Sequence, residues 1–229
     1  MLARPRVSKI LPPRRQRNSV PPAALYSAMP RRRPTLCETE IKLGVTDLAQ
    51  MIQKISRLGI KCSGRVRERN TLFDAPNGEL RRRGRLLRVR VETPAPSTLV
   101  SGGLRRTLVT FKSPAPASAG SRYKEKLERE RVVRAGRGWR SGLRSLGFRP
   151  GFRYEKFRTT FHLRGVHLDL DETPVGVFLE IEGAPGSIDR IARRLGFSRH
   201  DYIRSTYAEL YAQQCLRRGQ IPGNMLFPA

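Results

Sequence analysis

Charged side chains recur at every second position in seven short segments of this chain, and their types suit phosphate and metal chemistry. In 37–43, Glu38, Glu40 and Lys42 alternate with Thr39, Ile41 and Leu43. In 86–91, Arg88 and Arg90 alternate with Leu87, Val89 and Val91. Lys112 follows Leu108 and Thr110 on one face of 107–112, opposite Val109 and Phe111. Lys126, Glu128 and Glu130 align in 126–133, and Lys156 and Arg158 align in 154–161. Asp169 and Asp171 align in 166–171, as do Glu180 and Glu182 in 177–182. Closely spaced Arg and Lys bind phosphate oxygens through charge-assisted hydrogen bonds. Carboxylates grouped without Cys or His suit a hard cation such as Mg2+ or Mn2+. Bases and paired acids facing one cavity make a metal–polyphosphate site. Phosphoryl transfer needs mostly this: positioned phosphates, neutralised charge and an aligned nucleophile.

The elements that must position these residues follow from the same spacing. A period of two marks a strand, whose successive side chains point to opposite faces. One alternating strand is ordinarily half-buried, with its charged face in water. Seven in one chain, with eight acids and seven bases on their charged faces, are a different case. Same-sign neighbours on one face repel unless opposite charge sits between them. The reverse faces are apolar enough to hold amphipathic helices. Residues 46–58 put Leu48, Met51, Ile52, Ile55 and Leu58 on one helical face, with Thr46 or Asp47 as N-cap. Residues 187–195 turn Ile188, Ile191, Ala192 and Leu195 inward behind Ser187 as cap. A weaker helix near 139–146 carries Trp139, Leu143 and Leu146, and a last one spans about 205–217. Gly59, Gly147 and Gly196 each follow a final leucine, as suits a left-handed helix stop. Residues 93–104 and 113–121 read as loops. Helices outside and charge inside predict an α+β fold: a closed antiparallel β-barrel with a polar lumen, flanked by amphipathic helices.

Composition narrows the alternatives. The chain has 229 residues, enough for one domain with tails. No stretch approaches the ~18 apolar residues of a spanning helix, so no membrane role is expected. Cys37, Cys62 and Cys215 are far apart, with no CxxC pairing. This argues against structural zinc or a disulfide scaffold and fits a cytoplasmic location. His162, His167 and His200 are scattered and read as non-catalytic, and no P-loop motif occurs. The formal net charge of +27 points to an anionic partner, although 38 of the 46 basic residues are Arg, a skew that genome composition also produces. Residues 1–34 hold Arg runs and prolines without one acid, and are expected to be a disordered tail, with Met29 as an alternative start. The domain is expected over 35–217, and 218–229 reads as a flexible tail.

The ordered series of segments resembles the CYTH, or triphosphate tunnel metalloenzyme, superfamily. Glu38-Thr39-Glu40-Ile41-Lys42 matches its ExExK signature. Asn70 to Pro76, Leu86 to Arg90, Leu108 to Lys112, Lys126 to Glu130, Glu155 to Arg158, Leu170 to Glu182 and Ser205 to Leu210 resemble its later motifs in family order. Leu72 replaces a frequent Tyr, and Lys126 a frequent Arg. Lys cannot make the bidentate phosphate fork that Arg makes.

The resemblance implies an eight-stranded tunnel, a triphosphate-containing small molecule and a divalent metal, Mg2+ or Mn2+. It implies that Glu38, Glu40, Asp171, Glu180 and Glu182 ligate metal, and that Lys42, Arg88, Arg90, Lys112, Lys156 and Arg158 hold phosphates. Glu128 and Glu130 would orient water or a second metal, with Lys126 reaching phosphate or these carboxylates. The leading expectation is a hydrolase of inorganic triphosphate. The alternatives are a class IV-type adenylate cyclase, a thiamine triphosphatase, and a non-enzymatic polyphosphate- or RNA-binding module. Nucleic acid is not the expected partner, because few aromatics interleave with the basic clusters. The exposed arginines of 81–85 would steer anions to the tunnel mouth.

Overall fold

The computed structural model describes residues 36–99, 104–116, 121–133 and 138–228. The chain divides into units 1–33 and 34–229, and the described residues all belong to the second. The basic segment 1–34 lies outside the described residues.

Eight strands close into one barrel: β1 (Leu36–Val45), β2 (Lys61–Asp74), β3 (Leu86–Pro94), β4 (Arg106–Pro114), β5 (Lys124–Val133), β6 (Arg149–Leu163), β7 (Val166–Thr173) and β8 (Gly176–Gly183). Their order around the barrel is β1-β5-β4-β3-β2-β6-β7-β8. Every neighbouring pair is antiparallel. Closure removes the exposed edges of an open sheet.

The apolar faces lie outside, under helices. Ile41 and Leu43 of β1, Phe161 of β6, Leu168 and Leu170 of β7, and Leu179 and Ile181 of β8 share one core with α1 (Leu48–Arg57) and α4 (Pro185–Arg194). Met51 and Ile55 come from α1, and Ile188, Ile191 and Ala192 from α4. A smaller core joins Phe73, Leu87 and Val89 to Leu80 of α2 (Glu79–Arg82) and to Trp139 and Leu143 of α3 (Gly138–Ser145). Leu146 stays exposed, and Phe148 packs in its stead. The expected caps hold in part. Asp47 accepts from Gln50 N and caps α1. Pro185 opens α4 behind Ala184, two residues ahead of Ser187, because proline pre-sets the first helical φ. Gly59, Gly147 and Gly196 all take positive φ, as the three leucine–glycine stops predict.

Two segments differ from the sequence reading. Residues 61–74 form β2, a strand that the alternation analysis did not register. The C-terminal segment is not loose over its described length. Met225 is fully buried, its N–H donates to Arg153 O, and its carbonyl accepts from Glu155 N. Asn224 Oδ1 accepts from Arg153 N, and the Phe227 ring packs on Phe157. The segment thus lies along β6 and covers apolar surface there. Among the described residues no helix is long and apolar enough to cross a membrane.

Candidate active site

Most of the alternating charged side chains turn into the bore of the barrel. Cross-strand register sets who meets whom. Lys42 lies opposite Glu180, Glu40 opposite Glu182, Arg158 opposite Asp171, and Lys112 opposite Glu128. The ladder therefore places most acids beside a base before any side chain chooses a rotamer.

The deep end of the bore is a dense ion-pair network. Lys156, only 2% exposed, contacts Asp171 at 2.7 Å and Glu68 at 3.7 Å. Arg158 contacts Asp169 at 2.6 Å, Asp171 at 2.7 Å and Glu180 at 2.5 Å. Lys42 reaches Glu180 at 3.5 Å and donates to Ser205 O. Burial acts to raise the Glu180 carboxyl, but Lys156, Lys42 and Arg158 hold it well below the usual range. Burial wins at Asp171, which is pushed up despite Arg158 and Lys156. Arg90 pairs with Glu68 at 3.1 Å and Glu92 at 3.5 Å. Arg88 donates to Tyr154 and Thr110 and lies 3.7 Å from Glu130. Two buried polar atoms here have no hydrogen-bond partner, Arg88 Nε and Glu68 Oε1.

Tyr207 closes this end. β1 pairs with β5 only through Glu40, and beyond it Lys42 is bridged instead by Ile203. The chain after that bridge enters α5 (Tyr207–Arg217) through a capping box of Thr206 and Glu209. The buried Tyr207 hydroxyl donates to Asp171 at 2.7 Å. Lys42 sits 4.0 Å and Lys156 4.9 Å from its ring centre. Burial and Asp171 hold the phenol far above its ordinary range, so it stays a donor.

The other end is more open and more acidic. Lys112 bridges Glu38 and Glu128, and Lys124 bonds Glu40 at 2.6 Å. Burial raises the Glu38 carboxyl, and the adjoining Glu128 adds to it. Burial opposes the shift at Glu128, yet hydrogen bonding to Glu38 and the Lys112 charge draw it down. Glu182 faces Glu40 across the β1–β8 ladder and has no ion pair among the described residues. Burial, then Glu38 and Glu40, push its carboxyl up to about 7. Two like charges directly opposed on neighbouring strands destabilise each other. A cation between them removes that cost, and the oxygen-only donor set fits a hard divalent ion. Among the described residues no group of three or more His, Cys, Asp or Glu side chains is already gathered around a metal position. Four of the five expected metal ligands are instead engaged by Lys or Arg.

Each expected site residue thus has a definite place. Lys42, Arg88, Arg90, Lys156, Arg158, Asp171 and Glu180 line the inner bore, and Glu38, Glu40, Lys112, Glu128 and Glu182 lie toward its open end. Glu130 is exposed and accepts from Thr110 at 2.6 Å. Lys126 stands apart at the rim, where its ammonium donates to Gly84 O at 3.4 Å. The arginines at 81, 82, 83 and 85 are exposed. Sequence reasoning missed Glu68, Glu92, Lys124 and Tyr207. The signal for Glu68 was present in Arg65-Val66-Arg67-Glu68-Arg69-Asn70. There the charged majority points outward and the one inward acid is hidden among arginines.

The family described as CYTH domain matches residues 36–207. No curated protein matches the chain. Among solved structures, PH1012 from Pyrococcus horikoshii OT3 is 26% identical, covers 76% of this chain and 98% of its own, and superposes with a TM-score of 0.58. A candidate adenylate cyclase from Vibrio parahaemolyticus is 17% identical, covers 77% and 98%, and has a TM-score of 0.65. HpAC1 from Hippeastrum, described as having a dominant triphosphatase activity, is 17% identical, covers 81% and 97%, and has a TM-score of 0.50.

Proposed function

The chain belongs to the CYTH domain family, and from that premise we propose that it is a divalent-metal-dependent hydrolase whose substrate is inorganic triphosphate. The observation that carries this reading is the convergence of Lys42, Arg88, Arg90, Lys112, Lys156 and Arg158 inside one barrel, with the buried Arg88 Nε left without an acceptor. A phosphate oxygen is the acceptor that Arg88 lacks. An unpaired buried donor costs about 1–3 kcal/mol, which a bound phosphate would recover. The lumen-facing aromatic rings are already engaged. Tyr154 accepts from Arg88, and Phe178 and Tyr154 pack on Tyr207, with ring centres 5.6 and 6.4 Å away. This favours a substrate made of phosphates alone over one that needs a stacked base. HpAC1, which shares the fold, supports the same direction.

On binding, phosphate oxygens would take over from carboxylates as partners of the six bases. The carboxylates so released, Glu38, Glu40 and Glu182 with Asp171 and Glu180 deeper in, would hold the divalent ion. Bound there, Mg2+ or Mn2+ would neutralise phosphate charge and make water a better nucleophile. Water attacks the terminal phosphorus in line, and the bond to the bridging oxygen breaks to release pyrophosphate. Glu128 and Glu130 orient that water and accept its proton. Lys126, at the rim, meets the outgoing phosphate.

The test is product identity. Purified protein is incubated separately with inorganic triphosphate and with ATP, each with Mg2+ or Mn2+. Phosphate plus pyrophosphate from triphosphate, with no cyclic AMP from ATP, is the expected result. Cyclic AMP plus pyrophosphate from ATP would make it a cyclase instead.

A further inference from the structure

The last turn of the β6–β7 hairpin carries two histidines that the reaction above does not use. His162 and His167 are directly opposed in the ladder. Their rings lie 4.4 Å apart at 69°, with the two Nδ1 atoms 3.1 Å from each other. On its other side His167 Nε2 lies 3.1 Å from Asp169 Oδ1. Asp169 is buried and held by Arg158 at 2.6 Å and by the Thr160 hydroxyl at 2.7 Å. With Arg158 and Thr160 both donating to it, this carboxylate takes the accepting side of its contact with His167. The His167 proton therefore sits on Nε2, and neutral His167 turns the lone pair of Nδ1 toward His162.

We propose that His162 and His167 form a two-nitrogen site for a divalent transition-metal cation, Zn2+ or Co2+, at the open end of the barrel. In the metal-free chain His162 Nδ1–H donates to His167 Nδ1; when the cation binds, the His162 proton moves to its Nε2, and both Nδ1 lone pairs face the ion. Two imidazole nitrogens at about 2.0–2.1 Å from one ion are about 2.9 Å apart at a right angle and about 3.4 Å apart at the tetrahedral angle. The observed 3.1 Å falls between them. Asp169 is then the carboxylate that orients a metal-bound histidine from behind. Imidazole donors favour zinc, cobalt, nickel or copper over Mg2+, which prefers oxygen. The two histidines supply two donors, and water completes the shell of an exchangeable ion. Glu182 lies in register with His167 on β8. The inference does not depend on which triphosphate the bore accepts.

The chain contains three histidines, so ring NMR can read the site without any variant. Zn2+ added to the full chain in excess Mg2+ is expected to shift the ring signals of His162 and His167 and leave His200 unmoved. Calorimetric titration under the same conditions is expected to show one Zn2+ equivalent. Its affinity should fall at least ~10-fold in His162→Ala and in His167→Ala, and by a similar factor in Asp169→Asn. Both histidines are at least partly exposed, so these two variants should melt with the metal-free wild type. Zn2+ that shifts only His200, that fails to bind, or that binds both histidine variants as tightly as wild type overturns the proposal.

Discussion

The side chain with the least settled charge is Glu182. Its carboxyl is pushed up to about 7 by burial and by Glu38 and Glu40. In the metal-free chain the folded state therefore holds a proton that the unfolded state has released between about pH 4.5 and pH 7. Stability from this group is full below that window and is lost as pH rises through it. The loss is about 1–2 kcal/mol after allowance for solvent screening at the open end. Urea melts at pH 5 and pH 8 should show it in wild type and not in Glu182→Gln, and Mg2+ should restore the wild type at pH 8. A variant with the same pH slope as wild type would exclude Glu182 as its source. Glu68 is the opposite case. It is wholly buried, and Arg90, Lys156 and Arg158, with burial opposing, hold its carboxyl far below the usual range. Glu68→Gln leaves three buried cations short of an anion and should cost about 3 kcal/mol. Triphosphate, which supplies the missing charge, should raise the melting temperature of this variant more than that of wild type. The acids and bases of 86–91, 166–171 and 177–182 were legible because they alternate with apolar residues. Glu68 was not, because the residues flanking it are themselves charged and its burial depends on the neighbours β3 and β6.

At the scale of elements, alternation marks strands and 3.6-residue periodicity marks α1, α3 and α4. Neither marks the docking of an irregular segment. Residues after Gly219 carry no period, and the burial of Met225 comes from Tyr154, Phe178 and Tyr207, which lie far away in sequence. The C-terminal segment therefore stabilises the closed end of the barrel by packing on these rings. Met225→Ala should cost about 2–4 kcal/mol, since a fully buried side chain leaves a cavity that the barrel wall cannot fill. Ending the chain after Gly219 should cost at least as much, because it also removes the backbone pairing with Arg153 and Glu155. Thermal melts of both variants check this. A truncated chain that melts with wild type would mean that the segment contributes nothing. α5 shows the limit of capping signals in the same way. Thr206 and Glu209 announce its start, but only the gap where β1 outruns β5 explains why Tyr207 points into the bore.

For the molecule as a whole, closure follows from charge. Seven strands with one charged face each cannot all be solvated beside helices that need the other face, and a barrel resolves the conflict. Strand order is another matter. β1 pairs with β5 and β8, and β2 with β3 and β6, and alternation within a strand carries no information about its neighbours. Little of the net charge of +27 comes from the lumen, where acids balance the bases. Residues 1–34 alone hold nine Arg and Lys and no acid. Binding to RNA or DNA through such residues releases counterions, so its affinity should fall linearly with the logarithm of salt. Removing residues 1–34 should flatten that slope and weaken nucleic-acid binding. Hydrolysis of triphosphate should survive both the truncation and the salt, because the bases inside the barrel are buried and weakly screened. Parallel measurements of RNA retention and triphosphate turnover from 50 to 500 mM salt, roughly the range over which phosphate-driven binding collapses, separate the two. If turnover fell in step with RNA binding, or disappeared with residues 1–34, the chemistry would not belong to the bore.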